Sequence, residues 1–107
     1  MEFTSVEKRA IIKVLSDIML ADGVIDFGEK KYLAQIVTVL KVSETDLKKV
    51  SSIKVSESIA ILSAMDAAKK MALGVMMQQM IAADNDVDEN ELQIFNVVFL
   101  SVGIKIK

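Results

Sequence analysis

The sequence contains no cysteine, histidine, proline or tryptophan, and only 5% of its 107 residues are aromatic. Without cysteine it can form no disulfide, no zinc–thiolate site and no thiol nucleophile, which fits a reducing compartment. Without histidine it can form neither a Ser–His or Cys–His catalytic pair nor a histidine-ligated zinc or iron centre. These absences argue against an enzyme and against most transition-metal sites.

Length and composition favour one all-α domain spanning residues 1–107, because 52% of the residues are hydrophobic and there is no proline to interrupt helices. The charged N-terminus does not resemble a signal peptide, and the most apolar run, 71–83, is shorter than the roughly 20 residues that span a bilayer. We therefore expect a cytoplasmic protein without a transmembrane segment. The net charge of −2 gives no support for nucleic-acid binding.

Apolar residues recur every three or four positions along most of the chain, which predicts about six amphipathic helices. Cap and stop signals set the boundaries of these helices. The first helix begins at Thr4, and the next three are predicted over Phe27–Lys41, Glu44–Ser52 and Glu57–Met65. Asp66 caps the fifth helix, and Gly103 ends the sixth. The fifth helix is apolar nearly all round and is expected in the centre of the bundle. The sixth is apolar on more than one side, so it is either flanked by two neighbours or forms a homodimer contact.

One stretch, MIAADNDVDENE at 80–91, joins an apolar helix to five carboxylates within eight residues. A fainter copy, IMLADGVIDFGE at 18–29, lies 62 positions earlier, and the two share the pattern A-D-x-x-I/V-D-x-x-E. The chain is therefore predicted to contain a duplicated helix, acidic loop, helix unit, with pseudo-repeats at about 4–41 and 66–103.

Several of these carboxylates have an ordinary structural explanation, because Asp26 and Asp88 suit helix N-caps, and Glu29 and Glu91 suit the third helical position. Asp22 and Asp84 instead follow helix ends, where a negative charge is unfavourable. A hard cation, Ca²⁺ or Mg²⁺, would explain the recurrence. The candidate ligands are Asp84, Asp86, Asp88 and Glu91 in the second copy, with a weaker site at Asp22, Asp26 and Glu29 in the first.

Two other interpretations compete with the cation-binding hypothesis, and the sequence excludes one familiar form of cation site. If Asp84 is position 1 of an EF-hand, position 6 is Glu89 instead of glycine and position 12 is Phe95 instead of glutamate, so the loop is not an EF-hand. The acidic loop could instead dock on a basic partner protein with no ion involved. Metal-dependent hydrolysis by paired carboxylates is the least favoured alternative. The methionines are expected to fill the core, not to bind copper.

Two motifs resemble the TerB-like family, the helical domain of tellurite-resistance proteins and of DjlA co-chaperones: Ala21-Asp22-Gly23 with Ile25 and Glu29, and Ala83-Asp84 with Val87 and Glu91. The resemblance implies an all-α fold of two related halves whose acidic loops bind metal, although Asn85 stands where the family has glycine. Because histidine and cysteine are absent, we expect a non-enzymatic domain without an organic cofactor. Such a domain would bind or sense a divalent cation and act through protein contacts in a stress or envelope-associated system. These residues contain no J-domain pattern and no transmembrane anchor, so we do not expect the co-chaperone role to carry over.

Overall fold

The computed structural model describes residues 2–21, 27–82 and 89–104, and in these ranges the chain forms six α-helices and no strand. The helices are α1 Ser5–Met19, α2 Phe27–Val39, α3 Glu44–Val50, α4 Val55–Ser63, α5 Ala67–Ala82 and α6 Glu89–Val102. The predicted all-α bundle is confirmed. None of the helices in the described ranges combines the length and hydropathy that a membrane crossing requires.

Side-chain caps fix the start of three helices where the sequence predicted them. Thr4 and Glu7 form a reciprocal capping box at α1, with the Glu7 amide donating to the Thr4 hydroxyl at 3.1 Å. Ser43 accepts from the Asp46 amide at α3, and Asp66 accepts from the Lys69 amide at α5. Each cap satisfies a backbone donor that has no partner inside its own helix.

The fourth helix begins at Val55, two residues before its predicted start, and Lys54 at its N-cap provides no side-chain hydrogen bond. The predicted start at Glu57 was therefore wrong. Ser58 and Leu62, four residues apart, are both 0% exposed, so contact with the core fixes this short helix. If Ser56 were the N-cap, the helix that places Ser58 and Leu62 against the core would be shorter at its N-terminal end.

The most enclosed helix is α1, which packs against all five of the others. Its inward stripe includes Ile11, Leu15 and Ile18, each 0% exposed. The apolar α5 was expected at the centre, but it packs mainly on α1, α2 and α6 and leaves Met71 and Val75 about half exposed. The packing of α3 and α4 onto α1 makes α1 the more central of the two helices.

Helices α1 and α2 correspond to α5 and α6 at a constant separation of 62 residues. The core positions correspond as well, since Leu15 and Met77 are both 0% exposed. Glu7 and Lys69, which also occupy equivalent positions, form an ion pair at 2.8 Å. The hydrogen bond from Lys69 lowers the pKa of the Glu7 carboxyl. The starts of α1 and α5 therefore lie side by side.

Both α2 and α6 end in the same left-handed turn. Lys41 has a φ of 56° and Gly103, 62 positions later, a φ of 78°. The amide of the next residue reaches back to the helix in each case: Val42 to the Val37 carbonyl at 3.0 Å, and Ile104 to the Phe99 carbonyl at 3.1 Å. This is the Schellman arrangement, which glycine adopts without strain and lysine does not.

Replacing Lys41 by glycine is therefore expected to raise the free energy of unfolding by about 1 kcal/mol, because a side chain is strained in the left-handed region. Urea denaturation would measure the gain. The matched control is Gly103→Ala, which introduces the same strain in the other half and should lower stability by a similar amount. A stability loss in Lys41→Gly would show that the lysine side chain contributes more than the turn costs.

Candidate functional site

Two of the seven predicted cation ligands, Glu29 and Glu91, lie in the described part of the chain. The other five, Asp22, Asp26, Asp84, Asp86 and Asp88, lie outside the described residues. The predicted grouping of the seven around an ion is therefore untested. Within the described ranges, no set of three acidic side chains lies close enough together to hold a metal ion.

Glu29 and Glu91 occupy equivalent places, each the third residue of its helix. Both side chains are 0% exposed. The sequence predicted their position in the first helical turn, where a carboxylate is favoured by the helix dipole. It did not predict their complete burial, which is rare for glutamate because a buried charge needs compensating partners.

A signal for this burial is present in the sequence. Glu29 stands four residues before Leu33 and seven before Ile36, and Glu91 stands in the same relation to Phe95 and Val98. In a helix this spacing places each glutamate on the stripe that faces the core. The capping pattern explains why an acidic residue is favoured in the first turn of the helix. The apolar, core-facing stripe explains why water is excluded from its carboxylate.

The donor chemistry of these two residues suits a hard cation. Carboxylate oxygens are the preferred ligands of Ca²⁺ and Mg²⁺, and each glutamate lies in the first turn of the helix that directly follows an acidic segment. Glu29 and Glu91 are thus the described residues that would contribute to such a site. A soft or histidine-dependent metal does not match this donor set.

A polar contact joins α2 to α5. The residues at the equivalent positions in the other half of the chain are of different chemical types. The Tyr32 hydroxyl donates to the Gln79 side-chain oxygen at 2.7 Å. Burial raises the pKa of the Tyr32 hydroxyl, so it remains a protonated donor at neutral pH. The equivalent residues 62 positions away are Ile94 and Asp17, which lie together at a different surface.

That surface is a cleft between α1, α4 and α6 of about 560 Å³, called here the apolar groove. Its apolar walls include Val14, Leu20, Val55, Ile59, Ile94 and Val97, and its polar lining residues are Asp17 and Gln93. Sequence analysis did not identify this groove. The apolar residues Leu20 and Val97 lie off the main buried stripes and were the available signal.

No protein-family model matches the sequence, and no curated protein matches it. The fold is similar to that in the crystal structure of a protein of unknown function from Porphyromonas gingivalis, with a TM-score of 0.82 and 26% sequence identity. The similarity covers 100% of this chain and 90% of that one. The class defined by the fold is thus an all-α helical bundle with a close structural counterpart.

Proposed function

We propose that this protein is a non-enzymatic, TerB-like helical domain that binds a divalent cation, Ca²⁺ or Mg²⁺, at its acidic segments and acts through protein contacts. The stress or envelope-associated setting follows from the family resemblance. The second segment, with Asp84, Asp86, Asp88 and Glu91, is the stronger site because it carries more carboxylates than the first.

The observation that supports the proposal best is the complete burial of Glu29 and Glu91 at equivalent positions. Each follows an acidic segment by a few residues, so a cation bound by the segment would lie next to the first turn of the helix. A carboxylate that binds a cation there would link occupancy of the site to the position of α2 or α6. That link is how an ion could alter the surface offered to a partner.

The second candidate is a metal-free interaction module, in which the acidic segment docks on a basic partner. The apolar groove favours this alternative, because a cleft of about 560 Å³ on a small domain is a feature expected of binding proteins. The two candidates differ in one requirement, which is the cation.

Millimolar Ca²⁺ or Mg²⁺ is expected to raise the melting temperature relative to EDTA. At about 100 times the dissociation constant, a bound ion adds roughly 2.7 kcal/mol to stability, which corresponds to about 10 °C for a domain of this size. Differential scanning calorimetry would measure the shift. Equal melting temperatures in EDTA and in both cations would remove the ion from the proposal.

Asp84→Asn is the companion variant in that experiment. If Asp84 binds the ion, the cation-dependent shift disappears. If the segment only caps helices, the variant melts at nearly the same temperature as the parent protein in every buffer, or slightly higher because a negative charge near a helix C-terminus has been removed.

A further inference from the structure

Helix α5 has an exposed face that carries no charge. The residues on this face recur at helical spacing along the whole helix, and they are Ala68, Met71, Val75, Gln78 and Ala82, called here the α5 stripe. Met71 is 49% exposed and Val75 is 43% exposed. A continuous uncharged stripe of this length is typical of a surface that meets another protein chain.

Both ionisable residues of α5 lie away from the stripe. Lys69 donates to the Glu7 carboxylate of α1 at 2.8 Å, and the Lys70 ammonium lies beside Gly103 at the end of α6. The charges of this helix are therefore used in contacts within the chain. A molecule that packs on the α5 stripe meets apolar and amide groups alone.

The other half of the chain shows what kind of element packs on this face. Helix α1 is the equivalent of α5, and α3 and α4 pack on α1, whereas α5 packs mainly on α1, α2 and α6. Arg9 of α1, the equivalent of Met71, forms an ion pair with Asp46 of α3 at 3.3 Å. The face that α3 meets on α1 is thus a helix-packing face, and within the described ranges α5 has no counterpart of α3 there.

The α5 stripe is complementary to itself, because its residues are arranged nearly symmetrically about Val75. Ala68 lies seven residues before Val75 and Ala82 seven residues after it, with Met71 and Gln78 between. If two copies of α5 cross antiparallel at Val75, each Ala68 faces the Ala82 of the other copy, as a two-fold contact requires. Alanine at both ends allows close approach of the helices, and a copy brings no like charge. A basic or acidic partner segment would find no oppositely charged group on the stripe.

We propose that the α5 stripe is the contact of a two-fold symmetric homodimer, in which the two α5 helices pack antiparallel and cross at Val75. One helix pair is a small interface, so the dimer is concentration-dependent, with a dissociation constant of about 10 to 100 µM. This surface is separate from the apolar groove, whose lining residues come from α1, α4 and α6 and the turn between α3 and α4. The inference goes beyond the proposed function and does not depend on the cation.

The test uses single cysteine variants of the full chain, which has no cysteine of its own. At about 200 µM protein under mild oxidation, Val75→Cys is expected to form a disulfide-linked dimer at least about tenfold faster than the control, because the symmetric crossing brings the two Val75 positions within disulfide distance. The control is Val39→Cys, at a residue that is 72% exposed on α2. Mixing Ala68→Cys with Ala82→Cys should give the mixed disulfide in preference to either symmetric one. Mass spectrometry identifies each product.

Sedimentation equilibrium of the parent protein in EDTA gives the dissociation constant directly. Val75→Asp is expected to weaken the dimer at least about tenfold, because two carboxylates would then face each other, and Val39→Asp should leave it unchanged.

A parent protein that stays monomeric at about 1 mM, or cross-linking of Val75→Cys no faster than that of Val39→Cys, would overturn the proposal. Faster cross-linking of Leu100→Cys than of Val75→Cys would place the contact on α6 and would also overturn it. A dimer in EDTA without any cation-dependent melting shift would remove the ion and retain the α5 contact. A melting shift in a monomer would do the reverse.

Discussion

Glu91→Gln is expected to abolish the rise of about 10 °C in melting temperature that a bound divalent cation would give the parent protein. Glutamine keeps the size of the side chain but removes its charge, and Ca²⁺ or Mg²⁺ binds carboxylates in preference to a neutral amide at such a position. Glu91 is 0% exposed and stands at the start of α6, directly after the more acidic segment. Calorimetry with and without EDTA would measure the loss.

Glu89→Gln provides the matched control, because Glu89 lies in the same helical turn but is exposed. It should keep most of the cation-dependent shift. Glu29→Gln should also keep most of it, since the first segment has fewer carboxylates. If Glu91 serves only the helix start, Glu91→Gln will lower the melting temperature by the same amount in EDTA and in Ca²⁺, and the proposed ligand role fails.

Leu15→Ala is expected to lower the free energy of unfolding by about 3 to 5 kcal/mol, a large share of the 5 to 15 kcal/mol typical of a domain. Leu15 is 0% exposed on α1, the helix that contacts every other helix, so the surrounding side chains have little freedom to fill the space. The loss combines the removed apolar contact with the void left behind. Urea denaturation monitored by circular dichroism would measure it.

Leu100→Ala makes the same chemical change on the surface, where the side chain is 81% exposed. It is expected to change stability by less than about 0.5 kcal/mol. Similar losses in the two variants would mean that α1 does not hold the core together as described. A loss in Leu100→Ala alone would instead indicate that Leu100 is covered in solution, as a homodimer through the C-terminal helix would require.

The capping signals were informative because they act over three or four residues. Thr4 with Glu7, Ser43 with Asp46 and Asp66 with Lys69 each form the predicted contact, and Gly103 ends α6. The start of α4 was predicted wrongly, since no local cap defines it. Its position is set by contact of Ser58 and Leu62 with the core, and that contact involves residues far away in the chain.

The candidate site also has features that the sequence predicts and features that only helix packing determines. The sequence placed Glu29 and Glu91 at the third helical position, and their helices begin as that placement requires. Their complete burial depends on how the surrounding helices pack against α2 and α6. The apolar groove was missed for the same reason, because its walls come from three helices that are distant in sequence.

The sequence by itself determined that this protein is all-α, where most of its helices begin, and which acidic positions recur at a separation of 62 residues. Helical periodicity and caps are local, so the residues concerned carry that information themselves. The tertiary structure alone decided that α1 is the most enclosed helix, that two glutamates are excluded from water, and that one groove remains apolar and open. Each of these depends on which neighbours a helix face meets, and those neighbours are set by the packing of the whole bundle.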